Sequence, residues 1–113
     1  MKLEVGMYVR TKRDGIGKII SLSIGEEDDC CFIELSKRRT GIKEHNILKA
    51  SHNIIDLIEV GDYVNGERVV EIDIKGKLRY LDKNRNLSYV EDLDIKSIVT
   101  KEMFSSMEYK VGE

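Results

Sequence analysis

The hexapeptide Glu4-Val5-Gly6-Met7-Tyr8-Val9 returns as Glu59-Val60-Gly61-Asp62-Tyr63-Val64, with five of the six positions identical and an aliphatic residue, Leu3 or Ile58, ahead of each copy. Both copies run on into glycine-punctuated, β-branched sequence. Repetition in the same sense marks one small folding element used twice. In a chain of 113 residues it leaves two units of roughly 55 residues, near the lower limit at which a hydrophobic core folds unaided. The halves are therefore expected to pack on each other, since no Pro-, Ser- or Gly-rich linker parts them. The repeat sets the expected domains at 1–55 and 56–96, with 97–113 as an extension that packs on both.

Period-2 patterning dominates each unit. Met7–Thr11 reads as a first strand, Gly17–Ser23 as a second and Cys30–Leu35 as a third, in which Cys31, Ile33 and Leu35 share one face. Thr40–Lys43 is a short fourth strand, followed by a single helical turn at Glu44–Leu48. In the second unit Tyr63-Val64 leads through the turn signal Asn65-Gly66 into a long strand, Arg68–Ile74, with Val70, Ile72 and Ile74 on one face. Further strands follow at Lys77–Leu81 and Leu87–Val90, separated by the turns Lys75-Gly76 and Asp82–Asn86, and Glu91–Ile95 echoes the helical turn of the first unit. In the extension, Ile98-Val99 reads as a strand, Thr100 as the N-cap of a short helix through Met107, and Glu108–Val111 as a closing strand. Short, evenly punctuated strands of this kind predict an all-β protein built of two tandem small barrels packed together, with a short C-terminal helix and strand.

From Glu4 to Glu44 is 40 positions and from Glu59 to Glu91 is 32, so the second copy is shorter by 8. Most of that difference falls in the loop carrying Lys12, Arg13 and Asp14, and extra loop length on a repeated scaffold is where function accumulates.

Charge has the same asymmetry. The net charge of −2 divides into +2 for residues 1–55 (10 Lys/Arg against 8 Asp/Glu) and −4 for residues 56–113 (9 against 13). Overall acidity argues against strong nonspecific nucleic-acid binding, whose affinity comes from neutralising phosphates. It leaves room for a local basic face on the first unit. No apolar run approaches the ~20 residues that span a membrane, and no signal sequence opens the chain. Cys30 and Cys31 are adjacent and are the only cysteines, which suits neither a disulfide framework nor a zinc site. On a strand one of them enters the core and the other faces outward. The expected setting is the reducing cytoplasm of a bacterial host.

The run Val5-Gly6-Met7-Tyr8-Val9 followed by Gly15-Ile16-Gly17-Lys18-Ile19-Ile20 resembles the opening of small Src-homology-3-type barrels used in transcription and translation. These include KOW modules and the polymerase-interacting domain of CarD-type regulators. The segment Ala50–Gly66 and the ending Ser97–Phe104 are similar to small uncharacterised phage and prophage proteins of low-GC Gram-positive bacteria. The first resemblance implies a barrel; the second implies a mobile-element origin and carries no activity with it.

The candidate binding residues are Arg10, Lys12, Arg13, Lys18, Lys37, Arg38 and Arg39. If the second and third strands pair, the long loop and the Lys37 turn converge at one end of the first unit. A patch there suits nucleic acid or an acidic protein surface, against the plainer reading of a solvated rim balanced by Glu26–Asp29. That acidic run lacks the alternating ligands of a calcium loop and reads as a charged hairpin tip. His45 and His52 lie at no metal-ligand spacing. No phosphate-binding Gly-Lys-Ser/Thr loop, G-x-S-x-G elbow or H-E-x-x-H helix is present, so neither a cofactor nor catalysis is expected. The sequence points to a non-catalytic phage or prophage accessory protein docking on a host protein, such as transcription machinery or a CRISPR effector. The alternative is a nucleic-acid-binding accessory protein using the basic loop.

Overall fold

In both copies of the repeated hexapeptide the glycine turns the chain into its first strand. Gly6 and Gly61 sit at φ +95° and +100°, where a residue with a Cβ is strained. Met7 N–H donates to the Glu4 carbonyl at 3.1 Å, and Asp62 N–H donates to the Glu59 carbonyl at 3.1 Å. The neighbouring strand repeats the match. Gly6 N–H donates to Ile19 O and Ile19 N–H to Met7 O, while Gly61 N–H donates to Val69 O and Val69 N–H to Asp62 O, all at 2.8–2.9 Å.

The computed structural model describes residues 2–23, 30–90 and 95–103. The chain divides into two units, Met1–Leu57 and Ile58–Glu113, and the fold is all-β, broken among the described residues by two 3-10 turns and helical residues at 101–103. The first unit holds β1 (Tyr8–Thr11), β2 (Ile16–Leu22), β3 (Cys31–Glu34), β4 (Arg39–Ile42) and β5 (Ile47–Ser51), with 3-10 turns at Glu44–Asn46 and Ile54–Leu57. The second holds β6 (Tyr63–Val64), β7 (Glu67–Ile72), β8 (Leu78–Leu81), β9 (Leu87–Val90) and β10 (Ile98–Val99). All pairings are antiparallel. The sheets run β4-β3-β2-β1-β5 and β10-β6-β7-β8-β9, which is one strand order: a four-strand meander whose fifth strand returns beside the first. A register shift falls between Ile19 and Ser21 in β2 and between Val69 and Glu71 in β7, the same place in each sheet.

The inner face of the first sheet carries the core: Val9, Ile19, Cys31, Ile33, Ile42 and Ile47, with Leu3, Met7, Cys30, Leu35 and Ala50 packed against it. Cys31 and Ile33 are buried and Leu35 half-buried, as the alternation predicts, and both cysteines are free thiols. Gly17 is glycine because β3 passes too close for a side chain. A Cβ there would meet Ile33 Cδ1 at 2.8 Å and Leu35 Cδ2 at 3.0 Å. The buried apolar residues of the second unit are Ile58, Val64, Val69, Leu78 and Val90. Val64, Val69, Leu78 and Val90 stand where Val9, Ile19, Cys31 and Ile42 stand in the first.

Three readings change. The strand expected over Arg68–Ile74 covers Glu67–Ile72, and its inward residue is Val69 rather than Val70. The bulge after Val69 resets the alternation, and Asp73 turns the chain before Ile74, which is left fully exposed. The helical turn expected to run to Leu48 stops at Asn46, and Ile47–Ser51 pairs with β1 as β5. Thr100 does not cap through its side chain: its hydroxyl makes no hydrogen bond. Instead, Lys101 N–H donates to the buried Asp62 carboxylate at 2.9 Å. Ile98-Val99 is a strand, paired with β6. The acidic tip Glu26–Asp29, most of Glu91–Ile95, the helix beyond 103 and the closing strand at Glu108–Val111 lie outside the described residues. No helix among those described is long and apolar enough to cross a membrane.

Candidate cationic loop end of the first unit

The loop joining β1 to β2 is shaped by Thr11. Its buried hydroxyl donates to Gly15 O at 2.8 Å and accepts the Asp14 N–H at 2.9 Å, and Thr11 N–H donates to Gly15 O at 2.8 Å. These bonds close the loop on itself and leave Lys12 and Arg13 exposed at its tip. On the other side, Lys12 N–H donates to Asn46 O at 3.0 Å, which ties the tip to the 3-10 turn Glu44–Asn46. The β3–β4 turn is closed by Leu35 N–H donating to Arg38 O at 2.8 Å, with Lys37 and Arg38 exposed.

Arg38 joins the two loops. Its Nη2 donates to Asp14 Oδ1 at 2.5 Å. The pairing of β2 with β3 places both loops at one end of the sheet, and this ion pair brings them into contact. Lys12, Arg13, Lys37 and Arg38 therefore share one end, with Arg38 neutralised there by Asp14.

Lys18 and Arg39 are exposed on the outer face of the sheet beside that end. Register sets Lys18 opposite Glu34 and Glu34 opposite Arg39, so the two cations flank a carboxylate. Lys18 Nζ also stands 5.8 Å from the centre of the Tyr8 ring, at cation–π distance.

Arg10 leaves the exposed set. It is fully buried, and its Nη1 donates to Leu57 O at 2.8 Å. Alternation puts Tyr8 and Arg10 on the same face of β1, but the 3-10 turn Ile54–Leu57 packs against β1 there. Arg10 is a tie between β1 and the end of the unit, where charge counting alone made it a surface cation.

Two participants were not singled out by sequence. Asp14 orients Arg38, and only the pairing of β2 with β3 reveals that. Lys43 is exposed and immediately precedes the 3-10 turn that accepts the Lys12 N–H; the expected fourth strand had absorbed it. Of the histidines, His45 is exposed in that 3-10 turn, and His52 Nε2 lies 3.1 Å from Glu4 Oε2 in an exposed pair. Among the described residues no three or more His, Cys, Asp or Glu side chains are grouped to hold a metal ion. Comparison of the chain with protein-family models, with curated proteins and with solved structures finds no match.

Proposed function

We propose that this chain is a non-catalytic binding module, encoded by a phage or prophage, that docks the cationic loop end of its first unit on an acidic face of a host protein. Transcription machinery and a defence complex such as a CRISPR effector are the partners of interest. The matching strand order, hydrogen bonds and bulge position support reading the two units as a duplicated Src-homology-3-type barrel. A scaffold reused in this way differentiates through its loops. Val9 to Ile19 spans 10 positions and Val64 to Val69 spans 5, and the inserted residues are the ones that carry Lys12, Arg13 and Asp14.

The observation that carries the proposal is the Asp14–Arg38 bridge. It holds two cationic loops together before any partner arrives, which lowers the ordering entropy of binding. The distribution of carboxylates favours protein over nucleic acid. Asp14 neutralises Arg38, and Glu34 sits between Lys18 and Arg39, so cations and anions interleave. A phosphate-tracking groove presents cations alone, whereas mixed charge suits the rim of a protein interface.

The test is capture from host extract by the wild-type chain and by Lys12→Glu/Arg13→Glu/Lys37→Glu, all at exposed positions. A stoichiometric protein held by the first and lost by the second supports the proposal. Tight binding of DNA or RNA at low salt, falling steeply as salt rises and abolished in the same variant, would replace it with the nucleic-acid reading.

A further inference from the structure

Adjacent residues of a strand point to opposite faces, yet the two cysteine sulfurs lie side by side. Cys30 Sγ is 3.8 Å from Cys31 Sγ. The cause is local. Cys30 stands at the bend just before β3, and Cys31 is the first residue of that strand. Cys31 belongs to the buried core of the first unit, and Cys30 packs against that core from a half-buried position. The strict alternation expected of the pair gives way at the bend, and both thiols border the core.

The sheet holds this arrangement from both sides. Cys30 N–H donates to Ile42 O at 2.9 Å, and Ser23 N–H donates to Cys30 O at 3.1 Å. Cys31 pairs with Ile42 of β4 and with Leu22 of β2. Two soft sulfur donors are thereby set next to each other at one point of the backbone, one reachable from solvent and one behind it.

The spacing narrows what such a pair can take. A disulfide needs its sulfurs at about 2.05 Å. An atom bonded to each sulfur at about 2.3 Å spans about 3.3 Å at a right angle and about 3.8 Å at the tetrahedral angle. The observed gap is the one a bridging thiophilic atom fills. Structural zinc takes four protein ligands, and among the described residues no three or more His, Cys, Asp or Glu side chains are grouped to hold a metal ion. A trivalent arsenical brings its own third substituent and is complete with two sulfurs. We infer that Cys30 and Cys31 form a chelating site for a trivalent arsenical.

With an oxide R–As=O, the half-buried Cys30 reacts first. Its sulfur bonds to arsenic, and its proton passes to the arsenic-bound oxygen. Cys31 then forms the second As–S bond, and that oxygen leaves as water with the Cys31 proton. Arsenic stays trivalent and neither sulfur is oxidised. The site uses neither Lys12, Arg13 nor Lys37, so it stands or falls separately from the proposed docking end.

Phenylarsine oxide and the full chain test the inference, read by mass spectrometry after reaction under native conditions. One reagent per chain is expected, with loss of one water, and neither thiol is then open to alkylation. Dithiothreitol removes the reagent, and a monothiol at equal thiol concentration does not. The second bond is intramolecular once the first has formed, so Cys30→Ala weakens retention by at least about a hundredfold. Cys31→Ala has the same effect where circular dichroism shows it folded, and Cys30→Ala, which leaves the core residue in place, decides the matter where it is not. Uptake proceeds at the same rate in low urea as in buffer. A chain that takes up no reagent overturns the inference, as does retention by Cys30→Ala equal to wild type. So does uptake that quickens steeply with urea, which would put the reaction in the unfolded chain.

Discussion

Arg38 and Asp14, 24 residues apart in sequence, meet at 2.5 Å and fix the β3–β4 turn against the β1–β2 loop. The Arg38 side chain is 57% exposed and Asp14 25%, so the pair contributes more to arrangement than to stability. In a double-mutant cycle on Asp14→Ala and Arg38→Ala, read by urea denaturation, the coupling is expected at about 0.5 kcal/mol and no more than about 1 kcal/mol. Amide shifts of Lys12, Arg13 and Lys37 should move together in either single variant.

Gly6 and Gly61 occupy the same left-handed conformation at the same point of the two units. Gly6→Ala and Gly61→Ala should each cost about 1–2 kcal/mol through backbone strain, since nothing lies within 4 Å of a Cβ at Gly6 and only the Lys101 side chain, at 3.5 Å or more, at Gly61. Gly17→Ala acts by collision instead. The Gly17→Ala/Ile33→Val double variant, which removes the Cδ1 atom in the way, should therefore be more stable than the two single effects added together. For Gly6→Ala the effects should simply add.

The β7–β8 and β8–β9 turns of the second unit are the same turn built from different residues. Asp73 Oδ1 accepts the N–H groups of Lys75 and Lys77, and Asp82 Oδ1 those of Asn84 and Asn86, all at 2.8–2.9 Å. The fourth residue is left-handed in each: Gly76 at φ +82° and Arg85 at φ +61°. Glycine suits that position and arginine is strained there. Arg85→Gly should stabilise the fold by about 0.5–1 kcal/mol and Gly76→Ala destabilise it by about 1 kcal/mol, both read as urea midpoints.

These turns also set an acid dependence. Backbone hydrogen bonds, chiefly from Asn86 to Asp82 and from Lys77 to Asp73, hold both carboxyls below the usual aspartate value. A group whose folded pKa is depressed adds stability that is fully present above its unfolded value, about 3.9. That stability is lost as pH falls through the folded value. Stability should thus decline below about pH 4. Asp82→Asn and Asp73→Asn keep the acceptor oxygen without the titration, and should flatten the decline seen in denaturation midpoints.

The meander was legible because its signals are local. Cys31 and Ile33 alternate inward as written, and Asn65-Gly66 forms its turn with both residues at positive φ, +53° and +82°. What escaped was set by neighbours distant in sequence. β5 exists because β1 offers it a ladder; Ile47–Ser51 alone shows little strand pattern. The bulge after Val69 changed the phase within β7, so that Val69 is buried and Ile72 pairs with buried Leu78 while Val70, between them, is exposed. Arg10 looked like surface because charge is normally solvated, and only the 3-10 turn folding back over β1 buries it. At the loop end, the cations were visible as residue types, but the carboxylate that organises them was not. Asp14 becomes informative once β2 and β3 pair.

The most direct test of the docking end is the affinity of the captured host protein for the wild-type chain and for Lys12→Glu/Arg13→Glu/Lys37→Glu, measured by titration calorimetry at physiological salt. Three reversals at a charge-complementary contact are expected to weaken binding by about a hundredfold or more, with circular dichroism unchanged. Equal affinity of the two chains would contradict the account and move the binding surface elsewhere on the molecule.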